Sequence, residues 1–104
     1  MTVSDLKQWR DEQKEFRLID VREQEEWDHC RIEGAVLVPL SEWEARWEQV
    51  LSNPQEQLVV YCHHGMRSAS AVQFLQAAGY EQVENLEGGI DAWSRTIDPE
   101  VPTY

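Results

Sequence analysis

A chain of 104 residues, of which 41% are hydrophobic, can build one modest core and is too short for a second domain. Five tryptophans, three tyrosines and two phenylalanines exclude an intrinsically disordered protein, although 28% of the residues are charged. The 20 acidic residues outnumber the 9 basic ones and give a formal net charge of −11, which excludes the basic surface that nucleic-acid binding requires.

The sequence favours a cytoplasmic protein without a membrane segment. No apolar run approaches the ~20 residues of a transmembrane helix, and Met1 to Asp5 lack the basic and apolar regions of a secretion signal. Cys30 and Cys62 are too few for a disulfide scaffold in a chain of this length, so a reducing compartment fits.

The N-terminal part begins with two predicted strands and a helix between them. Residues 1–3 are predicted to form a short edge strand, and Ser4 is predicted to cap a helix with Leu6 and Trp9 on one face. The second strand is predicted over residues 17–21, because its apolar residues are mostly β-branched or aliphatic.

A short acidic helix is predicted over residues 23–27, where the acidic first turn suits the positive end of the helix dipole. The residues just before it, Asp20 and Arg22, are interpreted as an ion pair or cap that supports the fold. We expect neither of them to take part directly in catalysis.

The middle of the chain is predicted to form a strand over residues 35–38 and then an amphipathic helix. Ser41 and Glu44 have the spacing of a capping box at the start of that helix. Trp43 and Trp47 recur at helical spacing, and we interpret them as core residues rather than as a partner surface.

The most informative stretch is a buried strand, a short loop and a helix. Residues 58–61 form an apolar run typical of a strand covered on both faces, and helical spacing resumes from Ser68 and ends at Gly79. Cys62 therefore lies at the carboxyl end of a strand, a few residues before a helix N-terminus. Since that N-terminus and Arg67 both favour an anion, the Cys62 pKa is expected to fall and its thiolate to act as a nucleophile.

The last predicted strand covers residues 83–86 and is followed by Gly88 and Gly89. Paired glycines between a strand and a helix permit a close approach of two backbones. This turn would need such an approach if it packs beside the Cys62 loop. The alternative is an ordinary turn. Residues 94–104 contain two prolines and are predicted to form a loose tail.

Alternating strands and helices predict an α/β fold, with a mainly parallel sheet of about five strands flanked by helices. We expect residues 1–104 to form a single domain. Sheets of this type bind ligands at the carboxyl ends of their strands, which is where Cys62 lies.

Three segments of the chain resemble the motifs of rhodanese-like sulfurtransferases. The Cys62 loop has the family's order of Cys, two variable residues, Gly, one variable residue, Arg, and Ser or Thr. Asp20 begins the family's Asp-Val-Arg-Glu, and Leu86 begins its Leu, variable residue, Gly-Gly, two residues, small residue and Trp. The resemblance covers nearly the whole chain and implies the rhodanese fold.

The same resemblance implies sulfane-sulfur transfer through a persulfide on Cys62. The donor would be a small anion such as thiosulfate or a persulfide, and the acceptor a thiol, cyanide or a sulfur-carrier protein. Arg67 would position the anionic donor, and neither a cofactor nor a metal is expected. The residues expected to form the loop that binds the donor are His63, His64, Gly65, Met66, Arg67 and Ser68; the expected supporting residues are Asp20, Arg22, Gly88 and Gly89.

One segment departs from the family. Cys30 and Arg31 stand where the family has Gly and His, so no role is carried over to either position, and we predict that Cys30 is not required. Two other functions stay open: a Cys-dependent phosphatase or arsenate reductase, and a non-catalytic binding module of the same fold. A zinc site is not expected, because the spacing of Cys62, His63 and His64 does not place three side chains around one ion.

Overall fold

A computed structural model describes all 104 residues and has four strands and five α-helices. The strands are β1 (Arg17–Asp20), β2 (Val36–Leu37), β3 (Leu58–Tyr61) and β4 (Val83–Asn85). The helices are α1 (Val3–Asp11), α2 (Gln24–His29), α3 (Trp43–Val50), α4 (Met66–Ala77) and α5 (Gly89–Thr96), with a 3-10 turn at Leu40–Glu42. No helix is both long enough and apolar enough to cross a membrane.

The four strands form one parallel sheet in the order β2-β1-β3-β4. Arg17 pairs with Leu58 and Asp20 with Tyr61, so β1 and β3 are aligned over their whole length. All carboxyl ends therefore lie at one edge of the sheet. Cys62 follows β3, and the segment around Arg22 follows β1, at that same edge.

Each face of the sheet has its own core, because neighbouring residues of a strand point to opposite sides. Ile19 and Val60 pack on one face with residues of α3 and α4. Leu18 and Val59 pack on the other with residues of α1 and α5. Trp43 belongs to the first core and is buried, which confirms its predicted role. The α/β class, the parallel sheet and the flanking helices are likewise as predicted.

The N-terminal strand predicted over residues 1–3 is wrong, which leaves four strands instead of about five. Helix α1 begins at Val3, and its cap is Thr2 rather than Ser4. The Thr2 hydroxyl accepts a hydrogen bond from the Asp5 backbone N–H, while the Asp5 carboxylate accepts one from the Thr2 N–H. This reciprocal capping box satisfies the Thr2 and Asp5 backbone N–H groups at the start of the helix.

The capping box predicted for Ser41 is also wrong. Ser41 lies in the 3-10 turn, and α3 starts without a side-chain cap. The Ser41 hydroxyl donates instead to the Glu23 carboxylate, and the Ser41 backbone N–H donates to the same carboxylate at 3.3 Å. Ser41 therefore ties the start of α3 to the start of α2.

The segment predicted as a loose tail packs against the rest of the molecule. Helix α5 continues through Thr96, and Ser94 within it is buried. The Ser94 hydroxyl donates to the Val101 carbonyl, which folds the following residues back onto α5. Tyr104 then reaches α2 and the Cys62 loop.

Candidate active site

Cys62 is held at the end of the most deeply buried strand. All four residues of β3 are buried, and Cys62 itself is 1% exposed. The chain then turns at Gly65, whose φ of +106° lies in the left-handed region, and enters α4 at Met66. A side chain at position 65 would stand 3.3 Å from the Gly88 backbone nitrogen. The turn is thus closed against the start of α5.

The first turn of α5 rests directly on the Cys62 loop. Ile90 donates its backbone N–H to the Cys62 carbonyl at 2.9 Å, and Asp91 donates its own to the His63 carbonyl at 3.1 Å. A Cβ on Gly89 would overlap both carbonyl oxygens. The close backbone approach predicted for the paired glycines is present, with Gly89 as the residue in contact.

The Cys62 sulfur faces hydrogen-bond donors from its own loop. The Gly65 N–H donates to Sγ at 3.1 Å, and the Ser68 hydroxyl lies 3.4 Å from Sγ. That hydroxyl also lies 2.6 Å from Oδ1 of Asn85. The Asn85 side chain donates in turn, through Nδ2, to the Gly65 carbonyl at 3.1 Å. Because a hydroxyl has one proton, Ser68 can serve only one of the two acceptors at a time. The Gly65 N–H is therefore the fixed donor to Sγ.

These donors lower the pKa of the Cys62 thiol below its ordinary value. Burial alone would raise that pKa, since it disfavours the charged thiolate. Hydrogen bonds from the Ser68 side chain and from the backbone N–H groups of Ser68, Gly65 and His64 outweigh the burial. The arrangement favours a thiolate at the carboxyl end of β3.

Arg67 is bound to a carboxylate of the protein itself. Its Nη1 and Nη2 donate to Oε1 and Oε2 of Glu26 at 2.7 and 2.9 Å, a bidentate ion pair. Arg67 lowers the Glu26 pKa to about 2, and Glu26 in turn raises the Arg67 pKa. The sequence predicted an anion for Arg67 but did not identify Glu26, which lies in α2.

Tyr104 connects this ion pair to the other end of the loop. Its hydroxyl donates to Oε2 of Glu26 at 2.6 Å and accepts from Nη1 of Arg22 at 2.9 Å. Its ring stacks on the His63 ring, with centroids 3.9 Å apart and planes 6° from parallel. Burial is the main cause that raises the Tyr104 pKa to about 12, and the hydrogen bond to Glu26 adds to it. No sequence signal predicted that Tyr104 reaches the loop.

Asp20 and Arg22 form a buried ion pair, one of the two supporting roles that the sequence predicts for them. Nη2 of Arg22 lies 2.8 Å from Oδ2 of Asp20, and both side chains are fully buried. Arg22 also donates to the Cys30 carbonyl at 2.6 Å. Cys30 is buried and forms no disulfide with Cys62. Arg31 lies over the Trp27 ring, 4.7 Å from its centroid.

The two histidines of the loop lie side by side, with ring centroids 3.9 Å apart. Burial lowers the pKa of His63, and the neighbouring His64 adds to that effect. The Nε2 atom of His63 is buried without a hydrogen-bond partner. Nε2 of His64 lies 3.8 Å from Oδ2 of Asp91. Met66, the first residue of α4, is 82% exposed.

This architecture agrees with the comparisons with known proteins. A family model described as "Rhodanese-like domain" matches residues 2–96. The chain belongs to the rhodanese-like domain family. It is 37% identical over 105 residues to the "Probable adenylyltransferase/sulfurtransferase MoeZ" of Mycobacterium tuberculosis, and 34% identical over 88 residues to the "Adenylyltransferase and sulfurtransferase uba4" of Ogataea parapolymorpha.

These curated relatives are longer proteins. The match covers 100% of this chain and 26% of the mycobacterial protein, and 84% of this chain and 22% of the yeast protein. Two solved rhodanese-like structures match over nearly their full length. A rhodanese-like domain protein from Staphylococcus aureus has a TM-score of 0.80, 31% identity and coverage of 100% and 96%. A rhodanese-related protein from Thermoplasma volcanium has a TM-score of 0.83, 32% identity and coverage of 100% and 97%.

Proposed function

We propose that this rhodanese-like chain is a sulfurtransferase that carries a sulfane sulfur as a persulfide on Cys62. The observation that carries the proposal is the surroundings of the Cys62 sulfur, which accepts a hydrogen bond from the Gly65 N–H and faces the Ser68 hydroxyl. A buried structural cysteine needs no such donors. A nucleophilic thiolate does, because its charge must be stabilised where it is not hydrated.

The first step is a displacement at sulfur. The Cys62 thiolate attacks the outer sulfur of thiosulfate, or of a persulfide, and a new S–S bond forms. The donor's S–S bond breaks, and sulfite, or the donor thiolate, leaves with its electron pair. The charge then rests on the outer sulfur of the Cys62 persulfide. Loop N–H groups between His63 and Ser68 would stabilise that charge.

In the second step an acceptor removes the sulfur. A thiolate, of a small molecule or of a sulfur-carrier protein, or cyanide attacks the outer sulfur, and Cys62 leaves as a thiolate. The donors that lower the pKa of Cys62 also make it a good leaving group. Because both cysteines are free thiols, a reducing cytoplasm suits this cycle.

Arg67 would help to hold an anionic donor, but only in competition with Glu26. The guanidinium makes two short bonds to the Glu26 carboxylate, which itself accepts two more hydrogen bonds, from Tyr104 and from the Glu23 N–H. A dianion such as thiosulfate must displace or share this contact. Phosphoryl chemistry is disfavoured for the same reason, since it relies on an arginine that grips the oxyanion directly.

Steady-state sulfur transfer from thiosulfate to cyanide tests the proposal. The parent should turn over, Cys62→Ser should lose all measurable transfer, and Cys30→Ser should match the parent. A serine hydroxyl is nearly the same size as a thiol but does not ionise at neutral pH. Substantial transfer by the Cys62→Ser protein would refute the assignment. Hydrolysis of an aryl phosphate by the parent, without any sulfur transfer, would favour the phosphatase alternative.

A further inference from the structure

The fold brings a carboxylate from α5 to the two histidines of the Cys62 loop. One ligand atom from each of His63, His64 and Asp91 lies within 4.8 Å of the other two. We infer that these three side chains form a binding site for a divalent transition-metal ion, with zinc as the best-suited member of that class. This site goes beyond sulfur transfer and does not depend on it.

The donor set matches this class of ion. Two imidazoles and one carboxylate are ligands that bind zinc and its neighbours at about 2.0 to 2.2 Å. Three protein ligands leave the fourth position of a tetrahedral ion open to water or another small ligand. Hard ions such as magnesium prefer oxygen ligands and would not select a pair of imidazoles.

To bind one ion, the three ligand atoms must move closer together than the 4.8 Å within which they lie. Ligand atoms in a tetrahedral zinc site stand about 3.4 Å apart, given metal–ligand bonds near 2.1 Å. His64 has room to move, because its side chain is 62% exposed. The hydrogen bond from the Asp91 N–H to the His63 carbonyl holds the backbones of these two residues together.

His63 offers a nitrogen that the protein leaves unpaired. Its Nε2 is buried and has no hydrogen-bond partner, an arrangement that costs free energy unless a ligand satisfies the atom. Its ring is held between the His64 ring and the Tyr104 ring, each with its centroid 3.9 Å away. The imidazole is therefore oriented before any ion arrives.

Arg95 competes with a metal ion for the Asp91 carboxylate. Its Nε donates to both carboxylate oxygens of Asp91 at 3.1 Å, from the next turn of α5. The Arg95 side chain is 65% exposed, so this ion pair is weak and a metal ion can displace it. Removing Arg95 should tighten metal binding, an effect that unspecific binding to surface histidines would not show.

Calorimetric titration of the full chain with zinc chloride tests the inference. Cys62→Ser serves as the reference protein, so that the thiolate cannot bind zinc and the result is independent of sulfur transfer. We expect one zinc ion per chain. His64→Ala and Asp91→Asn should each weaken binding by about tenfold or more, since each removes one of three ligands. Arg95→Ala should strengthen it about two- to fivefold.

His29→Ala is the matched control, because His29 is the only other histidine and lies in α2. It should bind zinc as the reference protein does. Circular dichroism checks that each variant keeps its helices. No zinc binding by the reference protein, or equal binding by the Asp91→Asn variant, would overturn the inference. Binding lost in His29→Ala would assign the ion to a different site and overturn it as well.

Discussion

Two parts of the Cys62 loop are stabilised in different ways. We call them the Gly65 end, which comprises Gly65 and Ser68 around the Cys62 sulfur, and the Arg67 end, which comprises the Arg67 guanidinium and its surroundings. At the Gly65 end, the groups that face the Cys62 sulfur come from the loop itself, six residues or fewer along the chain. At the Arg67 end, the partners are Glu26 and Tyr104, which lie 41 and 37 positions away from Arg67. The first end stabilises a thiolate by local backbone geometry, whereas the second depends on the whole fold.

This difference explains which properties a short motif can fix. The spacing of glycine, serine and cysteine determines the donors to Sγ, because they belong to one turn. It does not determine whether Arg67 is free to bind an anion. That depends on α2, which places Glu26 against the guanidinium. The loop motif alone therefore predicts the nucleophile better than it predicts the donor.

The largest expected effect is at the contact between α5 and the loop. Gly89→Ala should destabilise the protein by about 3 kcal/mol or more, because its Cβ would overlap the Cys62 and His63 carbonyls at a φ of +59°. Urea unfolding measures the change. Gly79→Ala is the control, since its Cβ meets no atom within 4 Å and only the positive φ remains, worth about 1 kcal/mol. Equal losses in the two variants would show that the α5 contact is unimportant.

At the Gly65 end, Ser68→Ala should raise the Cys62 pKa and slow sulfur transfer at pH 7. The folded protein holds that pKa below its ordinary value, so loss of a donor must move the thiolate transition to higher pH. The rate of thiol alkylation against pH, in chelator-treated buffer, reports the transition. Ser70→Ala, at an exposed position of α4, should behave as the parent. An unchanged transition in Ser68→Ala would mean that the hydroxyl serves only Asn85.

At the Arg67 end, Glu26→Gln should lower the KM for thiosulfate about threefold, because it removes the charge that competes for the guanidinium. Arg67→Ala should raise the same KM. Glu25→Gln, an exposed neighbour in α2, is the control and should leave it unchanged. If Glu26→Gln and Arg67→Ala both leave the KM unchanged, the ion pair is purely structural and Arg67 has no part in donor binding.

A modest loss of stability is expected at Tyr104. Tyr104→Phe keeps the ring on His63 but loses the hydrogen bonds to Glu26 and Arg22, which should reduce stability by about 1 kcal/mol. Tyr104→Ala should lose more, because the stacked ring is also removed. Thermal unfolding of both variants compares the two contributions. Identical melting temperatures for Phe and Ala would show that the stack contributes nothing.

Much of the fold could be predicted because its signals are local. The apolar run of β3, the turn at Gly65 and the glycines at 88 and 89 each determine the backbone within a few residues. Local signals also misled where two caps competed. Thr2, in a capping box with Asp5, caps α1 in place of Ser4. The Ser41 hydroxyl donates to Glu23 and therefore does not cap α3.

The side-chain partners of the site could not be predicted in the same way. Asn85 reaches Ser68 because β4 pairs with β3, and the strand order was not readable from the sequence. Asp91 reaches His64 because α5 docks on the loop, a contact that no local pattern of the sequence indicates. Tyr104 reaches Glu26 because the last residues fold back along α5, although their prolines suggested a loose tail.

The intact mass of the protein after brief incubation with thiosulfate shows whether Cys62 takes up a sulfur atom. The parent and Cys30→Ser should each gain one sulfur atom, about 32 Da, on Cys62, and a thiol acceptor should remove it again. Cys62→Ser should gain nothing. A parent whose mass stays unchanged with both thiosulfate and an alkyl persulfide, or a sulfur that maps to Cys30, would contradict the account.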